Sequence, residues 1–295
     1  MMTTRADILV ETDWLADHLD DPAIRIVDMR GYVRSTPLGA GHEEAHYLGA
    51  PEEYAAGHIA GAVYLDWTRD IIDPHDPVAV QIAPPEVFAA AMAQAGIGDE
   101  TLVIAYDAHP ASQFATRLWW ALRYYGHDRA AILNGGLAKW QRDGYPLTPD
   151  VPTVPLAHFT PRPRPALRAT AADVLAQVQH PQPQTILLDA RDAAQYSGQK
   201  RRDDGRAGRI PGALNFPREL LIDPASGTFF ANDHLHAAFS SAGIADDEHV
   251  IAYCNGGVAA TTVLFARALL GHDADTNYDG SWNEWGSRPE LPIEP

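Results

Sequence analysis

The sequence has one cysteine, Cys254, in 295 residues. That excludes an intramolecular disulfide, a Cys-x-x-Cys redox pair and a multi-cysteine zinc site. No apolar run approaches the roughly 20 residues that cross a bilayer. The N-terminal segment meets Asp13 and Asp17 before a signal-like apolar core develops, so the chain is read as cytoplasmic. Basic side chains are also scarce, 22 against 39 acidic ones, for a formal net charge of −17. A surface that negative argues against nucleic acid or an anionic membrane as a partner, since both demand a positive face. Any site for a small anion must therefore be assembled locally.

What is present is a duplication. Ile26-Val27-Asp28-Met29-Arg30 is echoed by Leu187-Leu188-Asp189-Ala190-Arg191, each a short apolar run ending in Asp-x-Arg. His58-Ile59-Ala60-Gly61-Ala62 is echoed by Arg209-Ile210-Pro211-Gly212-Ala213. Phe88 to Gly96 and Leu235 to Gly243 both read as amphipathic helices stopped at glycine. Val103-Ile104-Ala105-Tyr106-Asp107 matches Val250-Ile251-Ala252-Tyr253-Cys254 at an offset of 147 (254 − 107). Tyr125-Gly126-His127-Asp128 then matches Leu270-Gly271-His272-Asp273. Between the copies Pro149, Pro152, Pro155, Pro161, Pro163 and Pro165 mark a linker, because proline removes backbone donors and holds the chain extended. The expectation is an α/β protein of two tandem domains, each a parallel sheet covered by helices. Their expected bounds are 1–147 and 169–295, joined by the proline-rich 148–168.

Ligands of open parallel sheets collect beyond the carboxyl ends of the strands. Cys254 sits there, directly after the apolar run Val250 to Tyr253. Asn255, Gly256, Gly257, Val258 and Ala259 follow, and then a breaker-free helical stretch to Leu270. Two glycines let the backbone curl so that several N–H groups converge on one point. The helix adds the positive end of its dipole. Both favour a negative sulfur, the form in which cysteine is a nucleophile. The same position in the first copy is Asp107, which cannot carry sulfane sulfur.

These motifs, with Tyr278-Asp279-Gly280-Ser281-Trp282-Asn283-Glu284-Trp285, resemble the tandem-domain rhodaneses, the thiosulfate and 3-mercaptopyruvate sulfurtransferases. The resemblance covers nearly the whole chain. It implies a silent first domain, Cys254 as a persulfide-forming nucleophile, and no cofactor or metal. Its implied partners are a small anionic sulfur donor and a thiol or cyanide acceptor. It places donor-binding side chains after the second Asp-x-Arg, at Arg202, at Arg209 and at Gln195, the last a neutral residue where mercaptopyruvate enzymes carry arginine. Arg201 and Arg206 read as solvated cations. Asp189 and Ser281 would hydrogen-bond and orient the loop, Arg191 would pair with a carboxylate, and His75 is a candidate for proton transfer. Trp282 and Trp285 read as core. A phosphatase would need arginine six positions after the cysteine, where this chain has Ala260. The loop lacks both the basic residues of thiosulfate enzymes and the serine of mercaptopyruvate enzymes, which is replaced by Gly256. The donor stays open, with a lean to thiosulfate.

Two other readings compete. His42-Glu43-Glu44-Ala45-His46 fits the zinc-protease pattern H-E-x-x-H, which needs both histidines on one helical face. Flanking Gly39, Gly41, Gly49 and Pro51 leave little room for such a helix, so a surface-loop insertion is expected. The second alternative is a non-catalytic rhodanese-like binding module, although such modules generally lose the cysteine.

Overall fold

The computed structural model describes residues 4–202 and 205–295. The apolar runs of the two copies form two five-stranded sheets. In the first, the strands lie side by side in the order Leu9–Val10, Ala130–Leu133, Leu102–Tyr106, Ile24–Asp28 and Val63–Tyr64, all parallel. The second has Arg168–Ala169, Thr276–Tyr278, His249–Tyr253, Thr185–Asp189 and Leu214–Asn215 in the same spatial order, again all parallel. The central strand of each sheet runs straight into the loop that carries Asp107 or Cys254. The expected amphipathic helices occupy Pro85–Gln94 and Asn232–Ser241, and the glycines just beyond them, Gly96 and Gly243, adopt the left-handed conformation that closes a helix.

After each central loop comes a helix buried on all sides, Gln113–Tyr124 in the first copy and Ala260–Leu269 in the second. These two helices pack on one another across the domain boundary, and Thr116 Oγ1 lies 2.9 Å from Thr261 Oγ1. Trp119 meets Phe265 edge-on at 5.0 Å, within one hydrophobic cluster that draws on both sheets. Burying large apolar side chains between the domains fixes their relative placement, at about 25 cal/mol for each Å² removed from water. Residues 149–164 lie in neither helix nor strand. This stretch is laid against the first domain, with Phe159 buried on Phe88 and Thr160 bound to Asp99.

The segment around His42 differs from the expected surface loop. Gly31–Gly39 and His42–Gly49 form an antiparallel hairpin, turned by Gly39, Ala40 and Gly41 at φ values of 93°, 50° and 74°. Arg201–Arg202 from the second domain adds to it as a third, parallel strand. In a strand, His42 and His46 stand about 13 Å apart, at ~3.3 Å per residue. Helical pairing of the two histidines is therefore absent. Among the described residues no group of three His, Cys, Asp or Glu side chains is placed to hold a metal ion. No helix among them is long and apolar enough to cross a membrane.

Candidate active site

Cys254 is almost completely buried at the floor of a cavity of about 230 Å³ between the two domains. The loop that follows is held from outside by its carbonyl groups. Trp282 N–H donates to the Cys254 carbonyl at 3.0 Å and Asn283 N–H to that of Asn255 at 2.8 Å. The Gly257 carbonyl accepts from Asn277 Nδ2 at 3.0 Å and from Arg117 Nη1 at 3.2 Å. With the carbonyls turned away, the N–H groups of Asn255 to Ala259 have no acceptor among the described residues. Helix Ala260–Leu269 likewise starts without a side-chain cap. Unpartnered donors and an uncapped helix start are what a negative sulfur needs beside it.

The first copy supplies an internal comparison. Asp107 is buried, and its carboxylate accepts from the backbone N–H groups of His109 (2.8 Å), Phe114 (2.8 Å) and Ala115 (2.9 Å). Burial raises its pKa to about 7 against the lowering effect of those three bonds. The loop that holds a sulfur atom in the second domain thus encloses a carboxylate in the first, and a carboxylate cannot form a persulfide.

Gly257 has φ of +70°, and a Cβ there would lie 2.7 Å from the Asp279 carbonyl oxygen. A Cβ on Gly256 would lie 2.6 Å from Cγ2 of Val80, a first-domain residue itself at φ +60°. The space a serine would need at position 256 is filled from across the interface.

The other side chains named from the sequence divide into groups. Ser281 accepts the Cys254 N–H at 3.1 Å and donates to the Tyr278 carbonyl, so it touches the loop directly. Asp189 does not. Its carboxylate is paired with Arg191, whose Nη2 also donates to the Gly208 carbonyl, an arrangement repeated by Asp28, Arg30 and Gly57 in the first domain. Gln195 lines the cavity, but both ends of its amide are engaged. Asn255 Nδ2 donates to its Oε1, and its Nε2 donates to Glu43, each at 3.0 Å. Arg202 also lines the cavity; its Nη2 is 3.5 Å from Glu43, while its buried Nε has no partner among the described residues. Arg209 is not among the lining residues. It is tied to Glu294 and to the Pro295 carbonyl, and its guanidinium covers Tyr196. His75 is exposed and outside the cavity wall, where Val80 stands instead. Arg206 is bound to the carbonyls of Trp285, Gly286 and Arg288. Trp282 and Trp285 are buried in the second domain's core.

Three contributions escaped the sequence reading. The hairpin roofs the cavity with Tyr32, Val33 and Tyr47. Arg218 lines it with a buried Nε that has no partner among the described residues, and a cation shortly after Ile210-Pro211-Gly212-Ala213 in an acidic chain was its available signal. His109 reaches in from the first domain's own loop. Burial, with a further push from Arg218, lowers its pKa to about 3 and keeps the ring neutral near pH 7.

Comparison with known proteins bears on this arrangement. A rhodanese-like domain matches residues 11–143 and again residues 170–288. The chain is 37% identical over 288 residues to the 3-mercaptopyruvate sulfurtransferase of Escherichia coli K12, covering 97% of each. It is 32% identical over 299 residues to a putative thiosulfate sulfurtransferase of Mycobacterium tuberculosis H37Rv, covering 98% of each. The crystal structure of SseA, an Escherichia coli 3-mercaptopyruvate sulfotransferase, matches with a TM-score of 0.80 at 35% identity, over 95% of this chain and 99% of that one. The chain belongs to the rhodanese family. It is a sulfurtransferase, with two rhodanese-like domains in tandem.

Proposed function

We propose that this sulfurtransferase takes sulfur from 3-mercaptopyruvate onto Cys254 and passes it, as a persulfide, to a thiol or cyanide. One observation carries the reading. The cavity that ends at Cys254 also holds Arg202 and Arg218, each with a buried Nε–H that has no partner among the described residues. A buried donor left unpaired is costly, and a ligand anion would satisfy both. The cavity is smaller than the ~300–1,000 Å³ typical of pockets for drug-sized ligands, which suits a donor of a few heavy atoms.

The loop beside Cys254 is uncharged, so the cations stand on residues away from it. This arrangement suits a donor whose carboxylate is separated from the transferred sulfur by two carbons. In thiosulfate the charge adjoins that sulfur. The mercaptopyruvate relative in Escherichia coli supports the same choice and does not favour the lean to thiosulfate read from the loop.

In the first step the Cys254 thiolate attacks the donor sulfur and an S–S bond forms as the C–S bond breaks. The electron pair of the broken bond passes to the three-carbon fragment as an enolate, which takes up the proton lost from the donor thiol and leaves as pyruvate. The N–H groups of residues 255–259 surround the persulfide anion. In the second step an acceptor removes the outer sulfur and the thiolate is restored. With no second cysteine, that acceptor comes from outside the chain. No cofactor enters.

Turnover of both donors with cyanide as acceptor, measured on wild type and Cys254→Ser, tests the reading. Higher kcat/KM for 3-mercaptopyruvate, abolished by the substitution, is expected. A preference for thiosulfate would overturn the donor assignment, and turnover that survives in Cys254→Ser would overturn the role of Cys254.

A further inference from the structure

The two central loops are equivalent positions of a duplication, and the offset that pairs Asp107 with Cys254 also pairs His109 with Gly256 (256 − 109 = 147). Each loop runs into one of the two helices that pack together at the interface, so both third positions face one cavity. In the catalytic loop this position is bare. Val80 occupies the space where a hydroxyl-bearing side chain would stand, so the second domain supplies no side-chain donor there.

His109 supplies one from the other side. Its Nδ1 accepts the N–H of Ala111 at 3.0 Å, which fixes that nitrogen as the unprotonated one in the neutral ring. The proton is then on Nε2, which has no protein partner among the described residues. The ring is further held edge-on against Phe114 at 5.9 Å. A neutral imidazole with one fixed N–H, partly buried in the wall of a reaction cavity, is a preorganised hydrogen-bond donor. The neighbouring Arg218 disfavours a charged imidazolium and so preserves that state.

We infer that His109, from the domain that cannot carry sulfur, is a catalytic residue whose Nε2–H donates to the oxygen on which charge develops as the donor's C–S bond breaks. This rests on the 3-mercaptopyruvate reading, since only a donor with a carbonyl beside the breaking bond leaves as an enolate. As the electron pair leaves sulfur, the carbonyl oxygen becomes an enolate oxygen, and the hydrogen bond strengthens in the transition state. When the carbon takes its proton, the oxygen returns to a carbonyl and the bond weakens. No proton leaves His109 in this account. Discharge of the persulfide by cyanide involves no such oxygen and should not depend on this side chain.

The experiment separates the two half-reactions in full-length protein carrying His109→Phe or His109→Gln. Pyruvate release is followed in single turnovers with 3-mercaptopyruvate, and cyanide discharge is followed on protein already loaded with sulfur. Loss of one such donor costs on the order of 100-fold in the step it serves. His109→Phe is expected to slow pyruvate release by that factor with KM little changed. His109→Gln, which keeps an amide N–H, should recover part of the rate, and cyanide discharge should stay close to wild type in both. Equal slowing of the two half-reactions, or no slowing of pyruvate release, overturns the assignment of His109 alone. Wild-type protein that releases no pyruvate overturns the donor reading and this inference together.

Discussion

Arg117 of the first domain and Asp279 of the second form an ion pair of 2.6 Å with both side chains out of contact with solvent. The guanidinium also donates to the carbonyls of Gly257 and Val80. Asp279 in turn accepts from the Ile82 N–H and pairs with Arg168. One buried pair therefore joins the domains and fixes the curl of the catalytic loop. Removing Arg117 leaves Asp279 only Arg168 as a counter-charge, so the cost is at most the about 3–5 kcal/mol of a fully broken buried pair. Arg117→Met should lower the urea midpoint by a corresponding amount and also lower kcat. A variant with unchanged stability would show that the pair is not what holds the interface.

The two loop glycines fail in different ways when substituted. Gly257→Ala places a Cβ against the Asp279 carbonyl at a positive φ, so both stability and turnover should fall. Gly256→Ser restores the residue type expected of mercaptopyruvate enzymes but meets Val80. It should lower turnover with 3-mercaptopyruvate, and pairing it with Val80→Ala should recover part of the loss. Steady-state kinetics on the single and double variants decide this.

Arg202→Ala and Arg218→Ala should each lower kcat/KM for 3-mercaptopyruvate by about tenfold to a hundredfold, the worth of a charge-assisted hydrogen bond. Arg209→Ala should change it little, since Arg209 is engaged with Glu294 and the chain end outside the cavity. Equal losses from all three substitutions would point to a general effect of charge.

Asp107 and His109 give stability opposite slopes with pH. The folded chain keeps a proton on Asp107 up to about pH 7, while the unfolded chain releases it near 3.8. That contribution is complete below 3.8 and is lost as pH rises through 7. His109 is neutral in the folded chain down to about pH 3 and takes a proton near 6.5 when unfolded. Its contribution is complete above 6.5 and is lost as pH falls toward 3. Relative to wild type, Asp107→Asn should gain stability as pH rises from 3.8 to 7, and His109→Gln should gain as it falls from 6.5. Urea midpoints across that range test both signs.

Much of this was legible in the sequence because repetition is itself a signal. The offset of 147 placed Cys254 at the end of a central strand, and Asp107 marked which domain is silent. Individual contacts across the interface were not legible. Gly31 to Gly49 reads as a broken loop because its glycines and Pro37 interrupt any alternation. It pairs into a hairpin whose third strand comes from residues 150 positions away and more. Arg209 and Arg202 look alike in sequence, and only packing ties the first to Glu294 and turns the second toward the cavity. His109 and Arg218 belong to segments with no donor-binding motif, and tertiary placement brings them into the cavity that Cys254 also lines.

In the proposed reaction Cys254 holds the sulfur in transit. Intact-protein and peptide mass spectrometry after exposure to 3-mercaptopyruvate tests it most directly. One added sulfur atom is expected on the peptide containing Cys254, lost again on addition of cyanide and absent from Cys254→Ser. Pyruvate formed by wild type with no sulfur on that peptide at any time would contradict it.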